Sequence, residues 1–237
     1  MRKLPKVPNL TDLAYLSVKQ HLLDGSITEG SRLTEESLAS QLGISKSPVR
    51  EALTRLESEG LVNIESRRGA YVRKFTLEET RELFDMRELL EVYAVGAAEI
   101  APQLLSDLEQ SIEQTRKHLA EGNKIAHVEE DMHFHGLIAA ATGNQELCRI
   151  LENIQHKNLL CRAKSYHLSS ATAPVSHNKI YQALKAGDKV AAQEAMREHI
   201  LFVRARLLAS IDEANEAAAT AEPATDESGL AATEPRA

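Results

Sequence analysis

The pattern of apolar and polar positions changes along the chain from short, mixed elements to long helices. Residues 38–60 read as two short helices joined at Gly43, because glycine adopts positive φ at no steric cost. On the second helix Val49, Leu53 and Leu56 recur at helical spacing, which predicts one buried face. The opposite face carries cationic and hydroxyl side chains, namely Lys46, Ser47, Arg50 and Thr54. Such a face is suited to binding an anionic partner.

Shorter elements on either side complete a small N-terminal domain. A helix is expected near residues 11–24 and a loop over residues 24–33, and either Ser45 or Ser47 suits the N-cap of the second helix of the pair. Two β-prone runs then surround a basic hairpin tip, Arg67, Arg68 and Gly69. Three helices and a hairpin predict a winged helix-turn-helix over residues 10–75, whose recognition helix enters the DNA major groove.

From residue 76 onward the chain reads as helix almost without interruption. Proline and glycine breaks separate six predicted helices, over residues 77–100, 103–121, 124–141, 144–168, 174–186 and 188–212. The fold class is therefore mostly α, with the winged domain followed by a six-helix antiparallel bundle over residues 76–212. Residues 1–9 and 213–237 contain few large apolar side chains and are expected to form a disordered arm and tail.

Charge is distributed unevenly between these parts. The whole chain has a net charge of −7, yet residues 1–75 hold 12 Lys+Arg against 9 Asp+Glu, and the remainder hold 16 against 26. A basic N-terminal domain followed by an acidic bundle is consistent with DNA binding by the N-terminal domain alone. The sequence lacks an apolar run of roughly 20 residues and a signal-peptide core, and its two cysteines have no disulfide-type spacing. We therefore expect a cytoplasmic protein with no membrane partner.

Histidines and one carboxylate supply the candidate chemistry of the bundle. Asp131 and His135 are four residues apart and share a helix face, while His177 and His199 lie on two later predicted helices. One carboxylate and three imidazoles suit a borderline divalent ion such as Zn, Ni, Mn or Fe. Because nine histidines offer many accidental combinations, spacing alone also leaves open a purely structural grouping.

The N-terminal motif resembles the DNA-binding domain of the GntR family of bacterial transcription regulators. The similar segment runs from residue 22 to residue 62 and includes SKSPVREALTRLESEGLV. The resemblance implies that operator DNA contacts Ser45, Lys46, Arg50, Arg68 and Gly69, to which we add the neighbouring Ser47 and Arg67. Lys46 stands where arginine is more common, which weakens bidentate recognition of guanine. Glu36 stands where some members have arginine, so that contact is expected to be absent.

The bundle resembles the FadR-type C-terminal effector domain (FCD), in its smaller, VanR-like branch. The similar motifs are DxxFH, HxxIxxAL and MRxHI. The resemblance implies a divalent metal, with Zn the first choice, held by Asp131, His135, His177 and His199. It also places Arg87 at an effector cavity, whereas the residue-based alternative for Arg87 is a surface ion pair with Glu91. Helix-face positions add three further candidate effector contacts, Asn158, Arg162 and Tyr166.

Together these features predict a homodimeric, sequence-specific DNA-binding regulator. Its two heads would meet two halves of a palindromic operator, and a small carboxylate bound beside the metal would control operator affinity. Repression relieved by this effector is what the resemblance implies. Two alternatives stay open: a regulator that responds to the metal itself, and a metal-dependent hydrolase. An enzyme is not expected, because no general base stands out besides the predicted ligand Asp131.

Overall fold

The structure, a computed structural model, describes residues 9–162 and 170–221. The N-terminal head consists of α1 (Leu10–Leu23), β1 (Arg32–Leu33), α2 (Glu35–Leu42), α3 (Lys46–Ser58), β2 (Val62–Glu65) and β3 (Gly69–Val72). The bundle consists of α4 (Leu77–Ala97), α5 (Pro102–Ala120), α6 (Lys124–Ala140), α7 (Gln145–Arg162), α8 (Ala173–Lys185) and α9 (Lys189–Ala221). The winged helix-turn-helix and the six bundle helices are thus confirmed. Within the described ranges, no helix is long and apolar enough to cross a membrane.

Local sequence explains the helix-turn-helix of α2 and α3. The side chain of Thr34 accepts a hydrogen bond from the amide of Ser37 and caps α2, which ends at Gly43 with φ 67°. Ser45 occupies the N-cap position of α3, but its side chain makes no capping hydrogen bond. The predicted inner face of α3 is buried against α1, through Val49, Leu53 and Leu56.

The wing contains a strand that the sequence pattern does not predict. The expected loop over residues 24–33 is wrong at its end, where Arg32 and Leu33 form β1. This strand pairs antiparallel with β3, with Leu33 opposite Ala70, and gives the sheet order β1-β3-β2. Two residues are too short to show the alternation that marks a strand. Burial of Leu33 in the head core holds the strand in place.

The end of α9 differs most from the predicted helix boundaries. This helix continues to Ala221, so disorder from residue 213 onward is wrong for residues 213–221. The extra segment is rich in alanine and glutamate, two residues with high intrinsic helix propensity. The predicted extension of α7 to residue 168 lies outside the described residues.

Helix α7 belongs to both halves of the molecule. The bundle has its own hydrophobic core around Phe84 and Phe134. The head has a second core, and Leu160 of α7 is buried in it. The side-chain amide of Asn153, also on α7, donates to the carbonyl oxygen of Glu59 at 3.1 Å. The end of the recognition helix therefore rests on α7.

Candidate metal centre and DNA-binding surface

Four side chains from α6, α8 and α9 meet inside the bundle. Asp131, His135, His177 and His199 each offer a donor atom, and these atoms lie within 4.8 Å of one another. All four residues are buried. The Nε2 atom of His177 lies 3.5 Å from Oδ1 of Asp131. The structure therefore brings together the complete set of predicted metal ligands.

Two of the three histidines in this cluster have the properties that a metal ion requires. Among the described residues, neither ring nitrogen of His177 has a hydrogen-bond partner, and Nε2 of His199 has none. Burial is the largest effect on both rings and lowers the pKa of His177 to about 3 and that of His199 well below its usual value. Both imidazoles are therefore neutral at neutral pH, as metal ligation requires. A divalent ion would satisfy buried nitrogens whose isolation otherwise costs about 1–3 kcal/mol each.

Neighbouring side chains orient two of the imidazoles. The hydroxyl of Ser176 lies 2.8 Å from Nδ1 of His199 and 3.1 Å from the carbonyl oxygen of Thr172. When the hydroxyl donates to this carbonyl, it accepts from Nδ1–H, which leaves the Nε2 lone pair of His199 for the cluster. The ring of Phe134 stacks on His177 with 4.0 Å between centroids. These contacts reduce the freedom of both rings before any ligand binds.

A buried ion pair lies directly against the cluster. Nε of Arg87 donates to Oε1 of Glu91 at 2.7 Å, and the two side chains are only 3% and 1% exposed. The other oxygen of Glu91 contacts Nδ1 of His135. Nη2 of Arg87 lies 3.1 Å from the second ring nitrogen of His135, Nε2. Burial alone would raise the pKa of Glu91, but Arg87 and His135 outweigh it and lower this pKa to about 2. The alternative of a surface pair is therefore wrong, because the pair exists but is buried.

A cavity of about 10 Å³ adjoins the cluster between α6 and α7. Asn158 lines it, and neither the oxygen nor the nitrogen of its side-chain amide has a hydrogen-bond partner among the described residues. Gln155 also lines it, and its amide nitrogen has no partner within the same ranges. Gln155 is not among the predicted effector contacts, although three-residue spacing places it on the same helix face as Asn158. Tyr166 lies outside the described residues, and the side chain of Arg162 is not described either.

The candidate DNA-binding surface combines α3 with the hairpin tip. The predicted contacts at the start of α3 are all exposed, namely Ser45, Lys46, Ser47 and Arg50. At the tip, Arg67 adopts φ 65° and Gly69 φ 102°. A Cβ at Gly69 would lie 3.1 Å from the carbonyl oxygen of Leu33, so glycine fits this turn best. Arg68 is exposed beside them and pairs with Glu65 at 3.3 Å.

Comparisons with known proteins agree with this architecture. The model of "Bacterial regulatory proteins, gntR family" matches residues 10–72, and that of the "FCD domain" matches residues 82–202. The chain is 28% identical over 192 residues to the HTH-type transcriptional regulator YdhC of Bacillus subtilis, covering 79% of this chain and 84% of that protein. It is 27% identical over 190 residues to the HTH-type transcriptional repressor RspR of Escherichia coli K12, covering 78% and 83%.

Solved structures give the same result for the fold. Escherichia coli McbR/YncC superposes with a TM-score of 0.78 at 25% identity, covering 86% of this chain and all (100%) of that chain. A transcriptional regulator GntR from Rhodococcus sp. RHA1 superposes with a TM-score of 0.76 at 24% identity, covering 84% and 97%. The second likeness shows the fold alone. Both span the head and the bundle together.

Proposed function

The chain belongs to the gntR family of bacterial regulatory proteins and carries an FCD domain, and we propose that it is a metal-dependent, effector-controlled repressor. As a homodimer it would bind a palindromic operator and release it when a small carboxylate binds beside the metal. The observation that carries this proposal is the buried Asp131, His135, His177 and His199 cluster, which shares one chain with an exposed recognition helix. The similar proteins YdhC and RspR are named as an HTH-type transcriptional regulator and an HTH-type transcriptional repressor.

The proposed cofactor is a divalent ion, with Zn as the first choice over Ni, Mn or Fe. One carboxylate and three imidazoles are a typical donor set for these ions. When bound, the ion would supply a positive centre for an anionic ligand. Metal content after dialysis against Zn²⁺ should fall sharply in His177→Ala. The matched control is His133→Ala, an exposed histidine on α6, which should retain the metal. Equal metal content in both variants would contradict the assignment.

The charges of the site favour an anionic effector. Arg87 and Glu91 offset each other, and the Asp131 carboxylate cancels only part of the charge of a divalent ion. A carboxylate would balance the remainder and complete the coordination, while the unpartnered amides of Asn158 and Gln155 offer hydrogen bonds. The net positive charge beside donors without partners thus supports a small carboxylate as the ligand.

A thermal-shift screen tests this assignment. The binding of small carboxylates is compared between metal-loaded and chelator-stripped protein. A ligand at about 100 times its dissociation constant raises the free energy of unfolding by about 2.7 kcal/mol, which a thermal shift detects. The hits should require metal and should weaken in Asn158→Ala. Hits of equal strength on stripped protein would contradict a ligand bound at the metal.

One observation favours a second candidate, in which the metal itself is the signal. The cavity beside the cluster, at about 10 Å³, has room for about one water molecule. A carboxylate would therefore have to displace side chains that line this cavity, whereas a bare ion need not. Operator affinity measured with and without Zn²⁺, in the absence of any organic ligand, separates the two. A large change from metal alone supports the metal-responsive regulator.

The proposed dimer uses the outer face of α4. Met86, Leu89 and Tyr93 are exposed there, and their spacing of three and four residues puts them on one face. A second copy of the same helix would cover this stripe across a two-fold axis, as symmetric dimers require. Leu89→Arg should therefore yield monomers in size-exclusion chromatography with light scattering. Val190→Arg, on an apolar residue of α9 that is more exposed than Leu89, should leave the dimer intact. A dimeric Leu89→Arg variant would exclude this face.

A further inference from the structure

Two acidic side chains at the start of α2 face the two cations of the recognition helix. Nε and Nη2 of Arg50 donate to the two carboxylate oxygens of Glu35, at 2.7 and 2.6 Å. The contact between Lys46 and Glu36 is looser, with 3.4 Å between Nζ and Oε1. The hydrogen bond from Arg50 also lowers the pKa of Glu35. One of the predicted DNA-contacting cations is thus held in a two-bond fork, and the other is not.

We propose that Glu35 is a positioning residue for DNA recognition, which holds Arg50 so that its free edge faces a base. This inference rests on the proposed function, since it takes α3 as the helix that enters the major groove. A guanidinium carries five N–H donors in a fixed plane. Glu35 uses one on Nε and one on Nη2. Of the three remaining donors, one on Nη1 and one on Nη2 form the end-on edge and point away from the carboxylate.

The free edge of Arg50 matches what a guanine presents. Guanine exposes N7 and O6 as neighbouring acceptors in the major groove, and a bidentate arginine is their commonest partner. Glu35 limits the rotation of a side chain that is otherwise 67% exposed. Because an exposed ion pair adds little to folding stability, the main consequence of this fork is the orientation of Arg50. If one flexible side chain is already fixed before binding, affinity for the DNA should rise roughly 2- to 12-fold.

The negative charge of Glu35 has a second, opposite effect. It offsets the charge of Arg50 and so weakens attraction to phosphates of any sequence. Removing the charge should lower affinity for the preferred sequence but maintain or raise affinity for other DNA. A residue that merely supported the fold of α2 would lower both affinities together. The two roles therefore differ in the sign of one measurable quantity.

The test uses the full-length chain and duplex DNA selected from a randomised library by the wild-type protein. Affinities for the selected duplex and for a scrambled duplex are measured for Glu35→Gln and for the matched control Glu36→Gln, which removes the neighbouring charge. We expect Glu35→Gln to lose roughly 2- to 12-fold on the selected duplex only. A repeated selection should then show relaxed preference at one base position in each half-site, and Glu36→Gln should retain that preference.

A double variant makes the assignment specific to Arg50. In an Arg50→Ala background, Glu35→Gln should no longer change the base preference, because there is no guanidinium left to orient. Equal losses on both duplexes, or an effect that persists without Arg50, would overturn the positioning role. If the wild-type protein enriches no sequence at all, the proposed operator binding fails first, and this inference falls with it.

Discussion

Replacing Glu91 by alanine would leave the guanidinium of Arg87 buried without its carboxylate. Nε of Arg87 lies 2.7 Å from Oε1 of Glu91, and neither side chain is more than 3% exposed. Removing one member of such a pair typically costs about 3–5 kcal/mol, most of it the penalty of an uncompensated buried charge.

The assay is thermal unfolding of chelator-stripped protein, so that metal affinity does not enter the comparison. For chains of this size, 1 kcal/mol corresponds to about 2–4 °C in Tm, so Glu91→Ala should unfold roughly 6–20 °C below wild type. The double variant Arg87→Met/Glu91→Leu removes both charges and should recover most of this loss.

The matched control is Glu146→Ala on α7. Glu146 also pairs with an arginine one turn away, Arg149, but these side chains are 64% and 68% exposed. The control should change the free energy of unfolding by no more than about 1 kcal/mol. A Glu91→Ala effect as small as the control effect would show that the Arg87–Glu91 pair is hydrated, and the reasoning from burial would fail.

Three further predictions follow from the head and from its contact with α7. Arg68→Ala should weaken binding to all DNA sequences alike and reduce the slope of log affinity against log salt by about one, if Arg68 contacts phosphate; an unchanged slope would remove it from the interface. Gly60→Ala and Gly43→Ala should each destabilise by about 1–2 kcal/mol in urea unfolding, since both positions have positive φ and the atoms near a Cβ at Gly60 are the flexible side-chain ends of Lys157 and Arg73. His156 has a pKa of about 4 when folded, below the ordinary 6.5, so the unfolded state binds more protons between these values. Protonation of His156 should therefore contribute a loss of about 2–3 kcal/mol in the free energy of unfolding as pH drops through this window, and His156→Gln should lack this contribution.

The elements that the sequence predicts correctly are those whose signal is local. Helical spacing of Val49, Leu53 and Leu56 depends only on neighbouring residues, and so do the breaks at glycine and proline. The predicted metal ligands come from three separate helices, and sequence spacing relates only Asp131 to His135. Their grouping was predicted because each lies in a motif typical of the FCD domain.

The features that the sequence does not predict depend on contacts between distant segments. Arg87 and Glu91 have the same four-residue spacing whether their helix face is exposed or buried, so sequence cannot distinguish a weak surface pair from a buried one. Gln155 gains significance only because α6 closes a cavity against it. The same holds for Glu35, whose partner Arg50 lies on another helix across a turn.

Helix α7 provides a physical connection between the two predicted activities. One of its faces presents Gln155 and Asn158 to the cavity beside the metal cluster. Another face places Leu160 in the core of the head and Asn153 under the end of the recognition helix. Because the cavity has room for about one water molecule, a larger ligand would have to displace lining side chains or separate α6 from α7. A movement of α7 would change its contacts with the head, and this is the route by which a bound ligand would alter the position of α3.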